Sequence, residues 1–470
     1  MKTAISIYFI AFALLLLSAC KVSKDITVPN NAAPVAFRNA TSTDTVSIAT
    51  IQWKEFFTNK HLQQLIDSAM LNNFDIELAI KNIEAGRLLL KQSKLGNLPE
   101  VNLQVVGSIS RPSDNSLNGL SLSKFLSKSY VEDYSAGAVI SWEADIWGKI
   151  KNQKARSLAA YLQTGEALKA VQTSLISAIA KGYYNLLMLD AQVDIARKNL
   201  VLIDSTLDII RLQYNAGQVT ALAVQQTTEQ RWAAAQLIPE LTQEIIIQEN
   251  ALSLLAGLPP AAIKRNGGLS DVVYADQGSA GVPAALLQNR PDVRARELEL
   301  NIANANTGIA KANMYPTLSI TAAGGLNAFK MTNWFNIPAS LFGAVAGSIT
   351  QPLFQRKQLK TQYELAKIDR EKTVIEFRQS VLTAVGEVAD ALVQVEKLKE
   401  QEQIAATRVS TLQNAIGNAS LLFRNGMANY LEVILAQRNV LQVELQLALL
   451  KKEQLTARVE LYRALGGGWK

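Results

Sequence analysis

The sequence repeats itself, and this constrains the fold more than any other feature, because two copies of one unit must find similar surroundings. At an offset of 217, Asn72, Asp75, Lys94, Pro99 and Gly107 fall on Asn289, Asp292, Lys311, Pro316 and Gly324. At 207, Ser141, Leu158 and Ala159 fall on Ser348, Leu365 and Ala366, with Trp147 over Phe354 and Lys149 over Arg356. At 209, Leu212, Gly217, Leu222, Val224 and Gly257 fall on Leu421, Gly426, Leu431, Val433 and Gly466. The drop from 217 to 207 predicts a ten-residue length difference between Gly107 and Ser141, inside one hairpin. Residues 20–270 and 271–470 are therefore read as two copies of one wall unit, not as the three or so domains that 470 residues would ordinarily make.

Each copy follows the same order. A helical pattern ends near Pro99 or Pro316, and side chains then alternate with period two through hairpins at about 100–143 and 317–352. Val101, Leu103, Val105 and Ile109 oppose Asn102, Gln104, Ser108 and Ser110; Leu341, Val345 and Ile349 oppose Ser340, Ser348 and Thr350. One apolar face and one small or polar face over about ten residues is the pattern of a membrane β-strand, although a half-buried soluble sheet alternates in the same way. A proline-free stretch of 67 residues, Gly148 to Tyr214, follows. Its Leu186, Val193, Leu200, Leu207 and Tyr214 recur every seven positions, with Leu189, Ala196, Ile203 and Ile210 three places later, a coiled-coil seam that the second copy keeps. Asn215-Ala216-Gly217 and Asn425-Gly426 break the pattern as helix C-termini. A returning helix of 37 residues (Thr220 to Ala256), a loop-rich belt over 257–283 and a 31-residue helix from Ala284 to Met314 complete the first round.

Four strands per chain leave open edges, which cost several kcal/mol per unsatisfied backbone group in lipid. Closure must come from further copies: two give a barrel filled by side chains, three a twelve-stranded barrel with room for water.

The N-terminus has Lys2, an apolar run from Ile5 to Leu17, and then Leu17-Ser18-Ala19-Cys20. That reads as a secretory signal over 1–19, too short to span a bilayer, ending in a lipobox whose Cys20 takes a covalent lipid. One histidine, His61, and one cysteine make a His/Cys metal cluster, a Ser-His-Asp triad and a disulfide framework improbable, and no cofactor is expected beyond that lipid. The net charge of +7 is scattered, without a nucleic-acid footprint.

Ser141-Trp142-Glu143-Ala144-Asp145-Ile146-Trp147-Gly148-Lys149, Asn289-Arg290-Pro291-Asp292-Val293-Arg294, Lys311-Ala312-Asn313-Met314-Tyr315-Pro316 and the C-terminal Leu461-Tyr462-Arg463-Ala464-Leu465-Gly466-Gly467-Gly468-Trp469 closely resemble the TolC-like outer-membrane efflux factors, in their lipoprotein branch. The resemblance runs from Trp53 to Trp469. It implies a mainly α fold with a membrane β-barrel: a homotrimer whose twelve-stranded barrel continues into a long helical barrel crossing the periplasm. It also implies docking to a periplasmic adaptor and to an inner-membrane pump of the RND type, with no bond made or broken in the duct itself.

On that reading the periplasmic tip, its gate and adaptor contacts fall at Tyr214, Asn215, Gly217 and Gln218 and at Phe423, Arg424, Gly426, Asn429 and Glu432. Family members often carry an aspartate just after the second tip glycine; here the turn reads Gly426-Met427-Ala428-Asn429, which predicts a less cation-selective tip. Family glycines after the second barrel segment are replaced by Gln355-Arg356-Lys357. Trp142 and Trp147 are candidate membrane-boundary aromatics, with strand-to-helix packing the alternative. His61 reads as a solvated residue near a helix start, and Tyr183-Tyr184 as packed within the helices. The expected function is export of small molecules; a duct for polypeptides or metal ions uses the same parts, and a poreless periplasmic scaffold is the competitor of another class.

Overall fold

The computed structural model describes Phe37, residues 47–272, Gly281 and residues 283–469. In the first repeat these form α1 (Lys60–Asn72), α2 (Phe74–Lys94), β1 (Glu100–Ser110), α3 (Leu117–Leu126), β2 (Val131–Ala144), α4 (Lys149–Asn215) and α5 (Ala221–Leu255). The second contributes α6 (Pro291–Ala312), β3 (Thr317–Ala328), β4 (Leu341–Thr350), α7 (Gln358–Arg424) and α8 (Tyr430–Ala464). The chain divides into two compact units, and each draws on both repeats.

The first unit comprises residues 84–162 and 298–375 of the described chain. Its centre is a four-stranded antiparallel sheet in the order β1-β2-β3-β4. Asp145 starts α4 by accepting the N–H groups of Ile150 and Lys151 at 2.9 and 2.8 Å. That satisfies two of the amides a helix start otherwise leaves open.

The structure corrects the repeat arithmetic. α4 and α7 have 67 residues each and begin 209 positions apart, and the 35-residue α5 and α8 do the same. Register agrees: β1 pairs Glu100 with Ser141, whereas β3 pairs Thr317 with Thr350, so Ser141 corresponds to Thr350 and not to Ser348. The offset is 217 up to the first strand of each hairpin and 209 thereafter, a difference of eight residues instead of ten. Shifting a strand by two preserves its alternation, so the sequence pattern is blind to that slip. The surplus sits in residues 111–130, against 329–340 in the second hairpin, and forms α3, a helix the alternation did not predict.

The second unit comprises the described residues of 29–83, 163–297 and 376–470. Its core gathers Phe57, Leu62, Ile66, Ile179, Tyr183, Tyr184, Leu186 and Tyr462, all 2% exposed or less. Tyr462 stacks on Phe56 at 4.1 Å and its hydroxyl donates to the Ile51 carbonyl at 2.7 Å. The first heptad seam is buried at Leu186, Leu189, Ala196, Ile203, Leu207 and Ile210. In the second seam Val395, Leu398, Val409 and Ile416 are only half-buried in one chain. His61 is half-buried too, with Nδ1 enclosed and without a hydrogen-bond partner. The helix expected from Ala284 is broken: one turn, Leu286–Asn289, ends at Arg290 in extended backbone (ψ 115), and α6 starts at Pro291. The proline ring disfavours the helical conformation in the residue before it and suits the first helical position.

Candidate functional site

Directly opposed residues of an antiparallel pair share a face, so the register sorts the sheet. Val101, Leu103 and Val105 of β1 face Ile140, Ala138 and Ala136 of β2; these continue through Ala322, Gly324 and Leu326 of β3 to Val345, Gly343 and Leu341 of β4. The opposite face carries Gln104, Ser135, Ser141, Ser319, Thr321, Ser348 and Thr350, with the Ser319 and Ser348 hydroxyls 2.8 Å apart. On the apolar face Leu103, Val345, Ile349 and Ile109 are 82, 80, 75 and 70% exposed. Each gains about 1.5–3 kcal/mol on leaving water. Among the described residues, β1 and β4 pair on one side only. No described helix is long and apolar enough to cross a membrane.

The two tryptophans sit where strands meet helices. Trp142 Nε1 donates to the Asn97 carbonyl at 2.8 Å, and Trp147 Nε1 donates to the Pro316 carbonyl at 2.7 Å while its ring stacks on Tyr315 at 4.7 Å. Trp147 is therefore engaged in packing between β2, α4 and the start of β3. Trp142 lies on the apolar face, opposite Ile320. In the second repeat Gln351 donates to the Met314 carbonyl at 3.1 Å. Those two residues correspond to Trp142 and Asn97 by the offsets 209 and 217.

Both long hairpins turn through the same motif. Gly217 and Gly426 have φ of 72 and 71, the left-handed conformation that glycine adopts without a Cβ penalty. Gln218 N donates to the Gln213 carbonyl and Met427 N to the Leu422 carbonyl, each at 2.8 Å, closing each helix end. Among the tip residues named from the sequence, Tyr214, Asn215, Gly217, Gln218, Arg424, Gly426, Asn429 and Glu432 are exposed. Phe423 is not: it is 6% exposed and packs with Ile210, Ala223 and Val433, joining the hairpins below their turns. Polar contacts that the sequence reading missed reinforce this joint. Tyr430 donates to Gln226 at 2.9 Å, and Gln437, 0% exposed, donates to Thr206 at 2.8 Å. Isolated glutamines on helices are ordinary surface residues in sequence, so nothing there marked them.

Where each returning helix ends, a second glycine closes against the other end of its repeat. A Cβ on Gly257 would lie 2.1 Å from the Asn72 carbonyl oxygen, and one on Gly466 would lie 2.5 Å from that of Asn289. The Asn289-Arg290-Pro291-Asp292 motif sits in this joint. The Arg290 guanidinium, 4% exposed, donates to Asp292 at 2.6 Å, to Glu387 at 2.8 Å and to the Ala464 carbonyl at 3.1 Å. Burial works against the Arg290 cation, but its carboxylate partners outweigh this and hold its pKa above the ordinary value. Burial likewise pushes Asp292 up, and the Arg290 bond and charge overcome it, leaving the carboxyl below its usual range. Glu460, half-buried and paired with Arg463 and Lys181, is lowered in the same way. Among the described residues no group of three or more His, Cys, Asp or Glu side chains is placed to hold a metal ion. Cys20 lies outside the described residues.

A family model described as "Outer membrane efflux protein" matches residues 65–258 and again 282–467, once per repeat. The Pseudomonas putida "Solvent efflux pump outer membrane protein SrpC" is 32% identical over 470 residues, covering 97% of each chain. "Cation efflux system protein CusC" of Escherichia coli (strain K12) is 27% identical, again over 97% of both. The solved structure of CusC matches with a TM-score of 0.85 at 26% identity, over 95% of this chain and 99% of that one. The outer-membrane channel OprN matches with a TM-score of 0.86 at 24% identity, over 96% and 100%.

Proposed function

Since the chain belongs to the outer membrane efflux protein family, we propose that it is the outer-membrane duct of a tripartite efflux system, with three copies closing their sheets into one twelve-stranded barrel. The observation that carries this reading is the four-stranded sheet with one continuous apolar face and two unpaired edges. The apolar face meets lipid, the polar face lines water, and edges meet edges, which leaves no backbone group unsatisfied in the bilayer. The half-buried second heptad seam supports helix packing between copies in the same way.

The duct is passive, and no bond is made or broken in it. An inner-membrane pump, of the RND type, supplies the work, and a periplasmic adaptor docks at the exposed tip residues Tyr214, Asn215, Gln218, Arg424, Asn429 and Glu432. Opening splays the hairpins, so the small joint around Phe423 is the two-state part that adaptor binding biases. The likeness to a solvent-pump protein favours small organic compounds as cargo. Cys20 carries the lipid that tethers the mature N-terminus to the outer membrane; radiolabelled palmitate incorporation that disappears in Cys20→Ala tests it.

Reconstitution in planar bilayers tests the duct: the purified protein gives stepwise ion conductance and migrates as a heat-modifiable trimer. Absence of conductance, together with full release from membranes once the lipid is removed, would establish the scaffold instead.

A further inference from the structure

The chain contains one seam between its repeats, β2 against β3, in which the second strand of one copy meets the first strand of the other. Ring closure by further chains, the proposed reading on which this inference rests, requires a seam of the same kind: β4 of one chain against β1 of the next. The repeat makes the two seams equivalent. β4 corresponds to β2 at an offset of 209 and β1 to β3 at 217, offsets fixed independently by helix starts, hairpin register and the paired Trp142 and Gln351 contacts.

We infer that β4 pairs with β1 of a neighbouring copy in the register of the internal seam, placing Ser348 opposite Val106, Ile349 opposite Val105 and Val345 opposite Ile109. The internal counterparts are Val139 opposite Ala323, Ile140 opposite Ala322 and Ala136 opposite Leu326. Parity supports the result. Val345, Ile349, Val105 and Ile109 all belong to the apolar face, so this register continues that face from chain to chain, whereas any odd shift would turn one strand inside out. Parity alone leaves every even shift open; the repeat equivalence chooses among them.

The equivalence is one of register, not of strand spacing. Gly137 and Gly325 oppose each other in the internal seam so closely that a Cβ on Gly325 would lie 2.2 Å from the Ala136 oxygen. Their counterparts between chains are Ala346 and Ser108, which carry Cβ atoms, so the seam between copies is the wider one.

Cysteine pairs in the full-length, membrane-inserted protein read the register directly. Directly opposed strand residues come within disulfide reach, and diagonal ones, two residues along, lie beyond it. Val139→Cys with Ala323→Cys is the control, since it occupies the same position in the internal seam and links only within a chain. Ser348→Cys with Val106→Cys is expected to give a covalent trimer on non-reducing gels that collapses to monomer with reductant. The pairs Ser348→Cys with Gln104→Cys and Ser348→Cys with Ser108→Cys are expected to stay monomeric. Thr350→Cys with Gln104→Cys reads the same register at a second place, should the first pair not insert. A covalent trimer from either slipped pair overturns the register while leaving the trimeric duct standing. Monomer from every pair, with the control linking normally, overturns the register; only if the heat-modifiable trimer is also missing from the same preparation does ring closure fall, and with it the proposed function.

Discussion

In the first repeat the side-chain amide of Asn73 donates to the Leu255 carbonyl at 2.9 Å; in the second, the guanidinium of Arg290 donates to the Ala464 carbonyl at 3.1 Å. The two joints are the same in backbone, Asn73 corresponding to Arg290 and Leu255 to Ala464. They differ in chemistry. Asn73 is neutral, and its Oδ1 caps α2 by accepting the N–H groups of Asp75 and Ile76 at 2.9 and 3.1 Å. Arg290 is a buried cation that needs Asp292 and Glu387, and Glu387 is shared with Arg463, which also pairs with Glu460. At the positions of Glu387, Glu460 and Arg463 the first repeat has Ala178, Ala251 and Leu254. One fold element is therefore locked once by a cap and once by an ion network, and the network makes the second lock the more vulnerable to a single change.

Breaking the comparison at its centre should give the largest effect. Arg290→Ala leaves the buried Ala464 carbonyl without its charged donor and returns the half-exposed Asp292 and Glu387 to solvent, and is expected to cost about 1.5–3 kcal/mol, the range for hydrogen bonds to charged groups. Asn73→Ala removes a helix cap and should cost about 1–2 kcal/mol. Hydrogen exchange separates the two: protection should collapse at the start of α6 in the first variant and weaken only slightly at the start of α2 in the second. Equal losses would mean that the ions add nothing to the joint.

The junctions from strand to helix offer the next test. Gly148 and Lys357 are equivalent and both left-handed, with φ of 73 and 63, and Arg356 precedes Lys357 at 49. The second repeat thus keeps a glycine backbone with residues that carry a Cβ, at a conformational cost of about 1–2 kcal/mol per residue. Lys357→Gly should raise the melting temperature and Gly148→Ala should lower it; a fall in both would show that Lys357 gains more from its side chain than its backbone loses. Smaller still is Trp142→Phe, which removes the bond to Asn97 for about 1 kcal/mol. Gln351→Leu, at the equivalent contact, should match it within error in the same melting assay.

How far the sequence disclosed this molecule follows from which features are periodic. Alternation marked the four strands and heptads marked the long helices, because each regular element repeats its own burial. Gly217 and Gly426 were legible as turns, since a left-handed residue at a helix end selects glycine. The offset of 209 was legible from Leu212 onward and misread as 207 from β2 into the first turns of α4, through Leu158 and Ala159; within β2 a shift of two leaves every side chain on its own face. α3 was invisible inside a loop with no hydrophobic partner to set a period. The lock was partly legible: Asn289-Arg290-Pro291-Asp292 stood out as one of the motifs shared with the family, but Glu387 and Ala464 are remote in sequence and no spacing announces them. At the tips the turn glycines were evident, whereas Gln437 and Thr206, 231 positions apart, meet only in the folded protein.

Acid should distinguish the two locks by the smallest margin and in one direction only. Asp292 and Glu460 both have folded pKa values below their ordinary ones, burial being outweighed by Arg290 in the first and by Arg463 and Lys181 in the second. A carboxyl depressed in the folded state binds its proton more readily when unfolded. It therefore contributes stability above its unfolded pKa and loses that contribution as pH falls through the folded value. The window opens near the ordinary carboxylate range, at about pH 4 to 4.5, and extends downward. The Asp292 side chain is 55% exposed, so solvent screening holds its share to less than about 1 kcal/mol. Melting curves between about pH 7 and pH 3 should show the gap between the wild type and Asp292→Asn closing as pH falls, and the same for Glu460→Gln. Asn73 does not titrate, so the gap between the wild type and Asn73→Ala should not depend on its side chain's protonation and should stay open throughout. A gap for Asp292→Asn that is as wide at the acid end as at neutrality would mean that the carboxylate charge is not what holds the second lock.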